Sequence, residues 1–362
     1  MISIIILRKI AVKKEEYNYL KIITILLVLL GHSTYYINIT DFGGIDYYHY
    51  INNNHSLIVI RFLNRLTEII YYFHMPLFMA ISGAFFRIQV EKNKWQSLFT
   101  LFKNKFRRLI IPFIVFTILY TLPVKYISNY FVHTSILNAI LGQLFLFGNS
   151  HLWYLFALFV IFMIAYFVLG KNTGVGMLLF LFILHLISYK INVPLIKNPF
   201  QFLFYFSVGF MFEQKREVYN RFLNHTKRYL YSLLIGFVLL IFMNWGIKRY
   251  SIILSKVLVE ILALYGSLVT YTVAYYLSRN TKWMNTRIYH LILVNGLGIY
   301  IFSDTLNYLI LKWGFIVAED LMITPHGIIL MVIFRFLVTL ILSLVITLAF
   351  KKLFPKYKWL VN

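Results

Sequence analysis

The chain has 362 residues, 60% of them hydrophobic and only 13% charged, where a soluble domain is roughly half apolar and about a quarter charged. A formal charge of +23 would suggest nucleic acid as the partner of a soluble protein. In so apolar a chain it points instead to Lys and Arg gathered in the cytoplasmic loops of a membrane protein, with the lipid bilayer and no nucleic acid as partner. The absence of Cys excludes disulfides, thiolate metal sites and a Cys nucleophile.

Apolar runs bounded by breakers predict an all-α polytopic membrane protein of about ten transmembrane helices. They form one membrane-embedded domain over 1–362, with spans near 20–37, 66–86, 107–127, 151–169, 174–189, 199–213, 229–247, 254–278, 288–312 and 327–350. Segment 135–147 is apolar but short and reads as a re-entrant or interfacial helix. The N-terminal stretch 2–7 is too short for the apolar region of a cleavable signal, and charged residues follow it. Most of the 35 Lys and Arg fall in segments 8–14, 87–108, 171, 215–228, 279–287 and 351–358. Those segments share one side if the spans alternate, which predicts an even count and two cytoplasmic termini.

An ionisable group within a span costs several kcal/mol on insertion scales and is a functional candidate by default. The first span carries Lys21 and His32. Eleven helical steps of about 100° bring them back to within ~20° of one stripe, about 16 Å apart. A cation at one end of a cleft and an imidazole further in suit an anionic donor whose reactive end reaches the base. The plain alternative is that Lys21 snorkels and His32 bonds to a neighbouring helix. The second span carries Phe73-His74-Met75-Pro76-Leu77-Phe78, then Ser82-Gly83. Pro76 breaks the backbone ladder beside His74, which is either a second acid/base or a partner for a freed carbonyl. Glu68 lies on another face and reads as interfacial.

The densest basic run, Lys103, Lys105, Arg107 and Arg108, leads into Ile111-Pro112. It serves as an anchor at an anionic leaflet, as a binding site for donor phosphates, or as both. His151-Leu152-Trp153-Tyr154-Leu155 opens the fourth span at the outer interface, where His151 and Trp153 are weak candidates for contacting a sugar. His185, alone on an apolar face, reads as a satisfied structural histidine. Asp304 in the ninth span is a further weak acceptor-binding candidate, with Arg335 of the tenth span as its expected counter-ion. No metal signature, Walker loop, nucleophile elbow or dinucleotide fingerprint occurs.

These segments together resemble the acyltransferase-3 family of integral membrane acyltransferases. Lys21 through His32 is similar to its Arg/Lys-x10-His signature, and Phe73 through Phe78 with Ser82-Gly83 to its second motif. Arg107-Arg108-Leu109-Ile110-Ile111-Pro112 matches a basic run before a proline, and His151 through Leu155 its H-L-W-[FY]-L motif. Gly298-Ile299-Tyr300 lies where the family reads S-L-x-I-Y-L-x-H. Asn18 replaces an acidic residue common three before the Lys, and Ser303 replaces the late-motif His.

The resemblance implies a stand-alone polysaccharide O-acetyltransferase of the bacterial cell membrane, with no bound cofactor. It would transfer an acyl group, most simply acetyl, from cytoplasmic acyl-CoA to a hydroxyl of a cell-surface or capsular polysaccharide or its lipid-linked precursor. In that reading His32 is the general base or brief acyl acceptor, with His74 as second catalytic candidate, and Lys21, Arg107 and Arg108 hold the donor phosphates. The rival reading is an exporter of surface polysaccharide without acyl transfer, which does not require Lys21 and His32 on one stripe.

Overall fold

A computed structural model describes residues 14–51, 53–132, 134–147, 150–171, 173–226 and 228–362. The 2–7 stretch, Arg8, Lys9, Lys13 and Lys227 lie outside the described residues. The ten expected spans each fall on a helix: α1 Glu15–Ser33, α2 Asn54–Glu91, α3 Leu98–Ile127, α5 Trp153–Val168, α6 Val175–Ser188, α7 Pro194–His225, α8 Tyr229–Ile247, α9 Ile252–Asn280, α10 Arg287–Met322 and α11 Pro325–Leu353. Helices α2, α3, α8, α9 and α11 are individually long and apolar enough to cross a membrane. The short α4, Ile136–Leu144, occupies the segment expected at 135–147.

The fold is helical as expected, with one short addition: β1, Ile37–Thr40, and β2, Gly43–Asp46, form an antiparallel hairpin. The first helix accordingly ends at Ser33 rather than near 37. The run Tyr35-Tyr36-Ile37-Asn38-Ile39-Thr40 is rich in aromatic and β-branched residues, which favour a pleated strand. Gly43 closes the turn with φ of +145°, a conformation open to Gly, and the N–H of the next residue, Gly44, donates to Tyr130 O at 2.7 Å. A side chain at Gly43 would strike the Tyr130 backbone.

Helix α3 is not regular. Two π turns, Phe106–Ile110 and Thr117–Thr121, interrupt it, each followed by a proline at the second position, Pro112 and Pro123. Proline removes a backbone donor and crowds the preceding turn, and a wider turn absorbs both effects. Helices α2 and α7 approach closely at Gly83 and Gly209, where an added Cβ would run into the backbone of Phe206 and Ala80 respectively. Small residues permit such contacts between helices in lipid, where packing rather than water exclusion holds them together.

The chain ends of the bundle can be placed from contacts. Tyr19 near the start of α1 packs on Tyr289 near the start of α10, with ring centroids 5.1 Å apart. Lys351 near the end of α11 donates to Asn295 Oδ1 of α10 at 2.7 Å. The start of α1 and the end of α11 therefore lie at the same end of the bundle, and the hairpin lies at the other.

Candidate active site

Near the C-terminal end of α1, His32 meets Asp304 of α10. His32 Nδ1 donates to Asp304 Oδ1 at 2.9 Å, with the carboxylate side chain 2% exposed and the imidazole 22% exposed. The same carboxylate oxygen accepts from the hydroxyls of Tyr35 at 3.1 Å and Tyr308 at 3.2 Å. His151, just before α5, turns Nδ1 toward Asp304 Oδ2 at 3.4 Å, while its Nε2 donates to Ile301 O at 3.0 Å. A carboxylate deep in an apolar bundle is costly unless paired and hydrogen-bonded. Here two imidazoles and two phenols surround it.

The arrangement fixes one imidazole and leaves a nitrogen free. With Nδ1–H committed to Asp304, His32 presents Nε2 as the proton acceptor, and among the described residues no side chain or carbonyl bonds to that nitrogen. A carboxylate that holds the tautomer and orientation of a histidine, and stabilises its cationic form, is the recurrent support for a general base.

Arg335 is not the counter-ion expected for Asp304. Its Nη2 donates to His32 O at 3.1 Å and its Nη1 to Tyr35 O at 2.8 Å. A fully buried guanidinium thus satisfies carbonyls that the end of α1 leaves without helical partners. It anchors the turn carrying His32 and Tyr35, and makes no direct ion pair with the carboxylate among the described residues.

Lys21 lies over the Phe85 ring at 4.2 Å, and His32 faces Tyr71 with ring centroids 6.3 Å apart. Phe85 and Tyr71 both belong to α2, so Lys21 and His32 face the same neighbour, four turns apart along it. His74 is buried and bonds through Nδ1 to Ile70 O at 2.9 Å, one turn back on its own helix. Its ring packs on Tyr71 at 4.8 Å, so Tyr71 lies between the two histidines. Trp153 packs against Phe202 in a tilted pair with ring centroids 5.0 Å apart.

Arg107 and Arg108 are exposed on the first π turn of α3, with the Arg107 guanidinium 4.6 Å from the Trp359 ring centroid. No contact joins them to Lys21 among the described residues. His185 is not alone: Nδ1 meets Gln201 O at 2.6 Å and Nε2 meets Glu260 Oε2 at 3.0 Å. Glu68 takes ion pairs from Arg65 and Lys248, each at 2.7 Å.

Three tyrosines of this cluster, Tyr35, Tyr308 and Tyr71, do not stand out as charges within spans, and Lys125, which lies within the expected span 107–127, is a charged residue that sequence reasoning passed over. Helical spacing would have flagged the first two, at three residues from His32 and four from Asp304. Lys125 is fully buried on α3, donates to Gln143 Oε1 at 3.0 Å, and lies 5.8 Å from the Tyr308 ring centroid.

The family model described as an acyltransferase domain matches residues 14–351. The chain belongs to the acyltransferase-3 family. Comparison with curated proteins and with solved structures finds no match. Membership makes this a multi-pass membrane protein with acyltransferase activity. Across the matched range, the acyltransferase domain includes both halves of the His32–Asp304 pair, one from its first helix and one from its late helix α10.

Proposed function

We propose that this protein transfers an acyl group, most simply acetyl, from cytoplasmic acyl-CoA to a hydroxyl of a surface polysaccharide or its lipid-linked precursor. The observation that carries the reading is the His32–Asp304 pair, with one ring nitrogen held by a buried carboxylate and the other free. His32 Nε2 takes the proton of the sugar hydroxyl as its oxygen attacks the thioester carbonyl. The tetrahedral adduct collapses, the C–S bond breaks, and the leaving thiolate of CoA recovers the proton from His32. Asp304 stabilises the imidazolium between these steps. A site away from bulk water limits hydrolysis of the thioester.

Lys21, Arg107 and Arg108 are assigned to the donor phosphates through charge-assisted hydrogen bonds. Helix α1 would then carry a donor contact near its start and the base near its end. An exporter of polysaccharide has no need for a free imidazole nitrogen backed by a carboxylate.

The test is glycan O-acetyl content in a deletion strain complemented with wild-type or His32→Gln protein. Gln keeps a hydrogen-bonding group and cannot carry a proton. The expected result is restoration by wild type and loss with the variant at equal membrane levels. Acylation by the Gln variant at the wild-type rate would remove His32 as base and leave His74 as the next candidate. Polysaccharide that stays O-acetylated but fails to reach the surface would make the protein an exporter.

A further inference from the structure

At the end of the bundle where α2 and α5 finish, a cleft of about 350 Å³ is lined by Phe86, Asn93, Trp95, Gln96, Tyr166 and Lys171, among others. It falls within the size range of small-molecule sites, and its walls are built rather than loose. Asn93 adopts φ of +48° at the end of α2, and the Lys94 N–H returns to Gln89 O at 3.0 Å, a left-handed helix stop. Trp95 Nε1 donates to Gln89 Oε1 at 3.0 Å, which pins the indole. Beneath them the buried Arg87 donates to Lys171 O at 3.0 Å and to Gly170 O at 3.4 Å, tying the end of α5 to α2.

The lining chemistry is that of a nucleotide site. Trp95 and Tyr166 are half-buried aromatics lining the cleft, the residue types on which bases stack, and the Asn93 and Gln96 amides donate and accept as a base edge does. Cations lie over the indole ring: Lys94 Nζ is 4.9 Å and Lys105 Nζ 5.5 Å from its centroid, the latter also 3.4 Å from the Phe162 centroid, with Lys171 on the rim. Phosphates attached to a base stacked there would meet ammonium groups.

The cleft is also linked to the active site. Phe86, in its floor, lies one turn beyond Ser82, whose hydroxyl bonds to Tyr154 OH at 2.9 Å. Tyr154 packs on Tyr300 at 5.8 Å, and Tyr300 OH donates to His151 O. From Phe86 back to Tyr71, beside His32, is about 22 Å along α2 at 1.5 Å per residue. That is the order of length of an extended phosphopantetheine arm.

We propose that this cleft binds the 3′-phosphorylated adenosine diphosphate end of the acyl donor, the arm running along α2 toward His32. This rests on the reading that the donor is acyl-CoA. The experiment measures equilibrium binding of coenzyme A, adenosine 3′,5′-bisphosphate and pantetheine to the full-length protein in detergent, with thermal melting of each variant. Trp95→Ala should weaken coenzyme A and the bisphosphate alike by roughly ten-fold, the loss expected for one stacking partner, while pantetheine binding stays unchanged. Trp95→Phe should recover most of the loss.

Wild-type affinity for coenzyme A in Trp95→Ala, at an unchanged melting temperature, would overturn the placement and leave the donor assignment standing. No binding of coenzyme A by the wild-type protein would overturn both. If Trp95→Ala melts early, Tyr166→Leu and Gln96→Ala decide. Weakened bisphosphate binding in either supports the placement, and unchanged binding in both overturns it.

Discussion

His32 and Asp304 were legible as separate anomalies, because a charge in an apolar span stands out against its neighbours. Their pairing was not legible. It joins the first helix to a late one, and helical spacing relates only residues within one helix. The same limit applies to Arg335: sequence alone suggests a charge seeking a charge, whereas the guanidinium donates to the carbonyls of His32 and Tyr35. The pairing predicts the behaviour of Asp304→Asn. The amide keeps the size of the carboxylate but presents either a donor or a neutral acceptor to His32 Nδ1, so it no longer holds the Nδ1–H tautomer or stabilises the imidazolium. Losses of up to about 10⁴-fold accompany such a change in a well-studied histidine–aspartate pair. Acyl transfer by the Asn variant should fall by at least about 10²-fold at wild-type protein level, measured as initial rate in membranes. A rate near wild type would make Asp304 a packing residue.

At the scale of elements, hydropathy located the helices because period and length both signal burial in lipid. It did not anticipate the hairpin after α1, whose strands have only four residues each, or the π turns of α3, which change hydrogen bonding without changing composition. It also left the role of Ser82-Gly83 open. Ser82 bonds to Tyr154, whereas Gly83 is a packing residue in the α2–α7 contact. Gly83→Ala places a methyl group against the Phe206 carbonyl, backbone that cannot rotate away, and overpacking of this kind costs about 1–3 kcal/mol. The variant should melt at a clearly lower temperature in detergent. Gly246→Ala is the control, because a Cβ there meets nothing within 4 Å, and Ala is the better helix former by about 1 kcal/mol. Equal melting temperatures for the two variants would show that α2 and α7 do not need their close approach.

At the scale of the whole molecule, loop charges and helix contacts both bear on topology. If the ten spans alternate, most Lys and Arg fall on one side, which the positive-inside rule makes cytoplasmic. Contacts put the start of α1 and the end of α11 at the same end of the bundle, through Tyr19 against Tyr289 and Lys351 on Asn295. The contacts do not depend on the sidedness of loop charges, yet they require the same parity, since an odd number of crossings between the two ends would separate them. Arg107, Arg108 and the Trp95 cleft follow the end of α2 or begin α3, whereas the hairpin follows the end of α1 and precedes α2. A chain that crosses once per helix therefore exposes the basic run on the side of the termini and the hairpin on the opposite side. Reporter fusions at both termini should read cytoplasmic, and a reporter inserted at Asp41-Phe42, in the hairpin turn, should read extracytoplasmic. Termini on opposite sides would mean that one of the ten helices does not cross. A cytoplasmic hairpin would place the His32 end of α1 on the donor side and remove the need for a donor arm that reaches along α2.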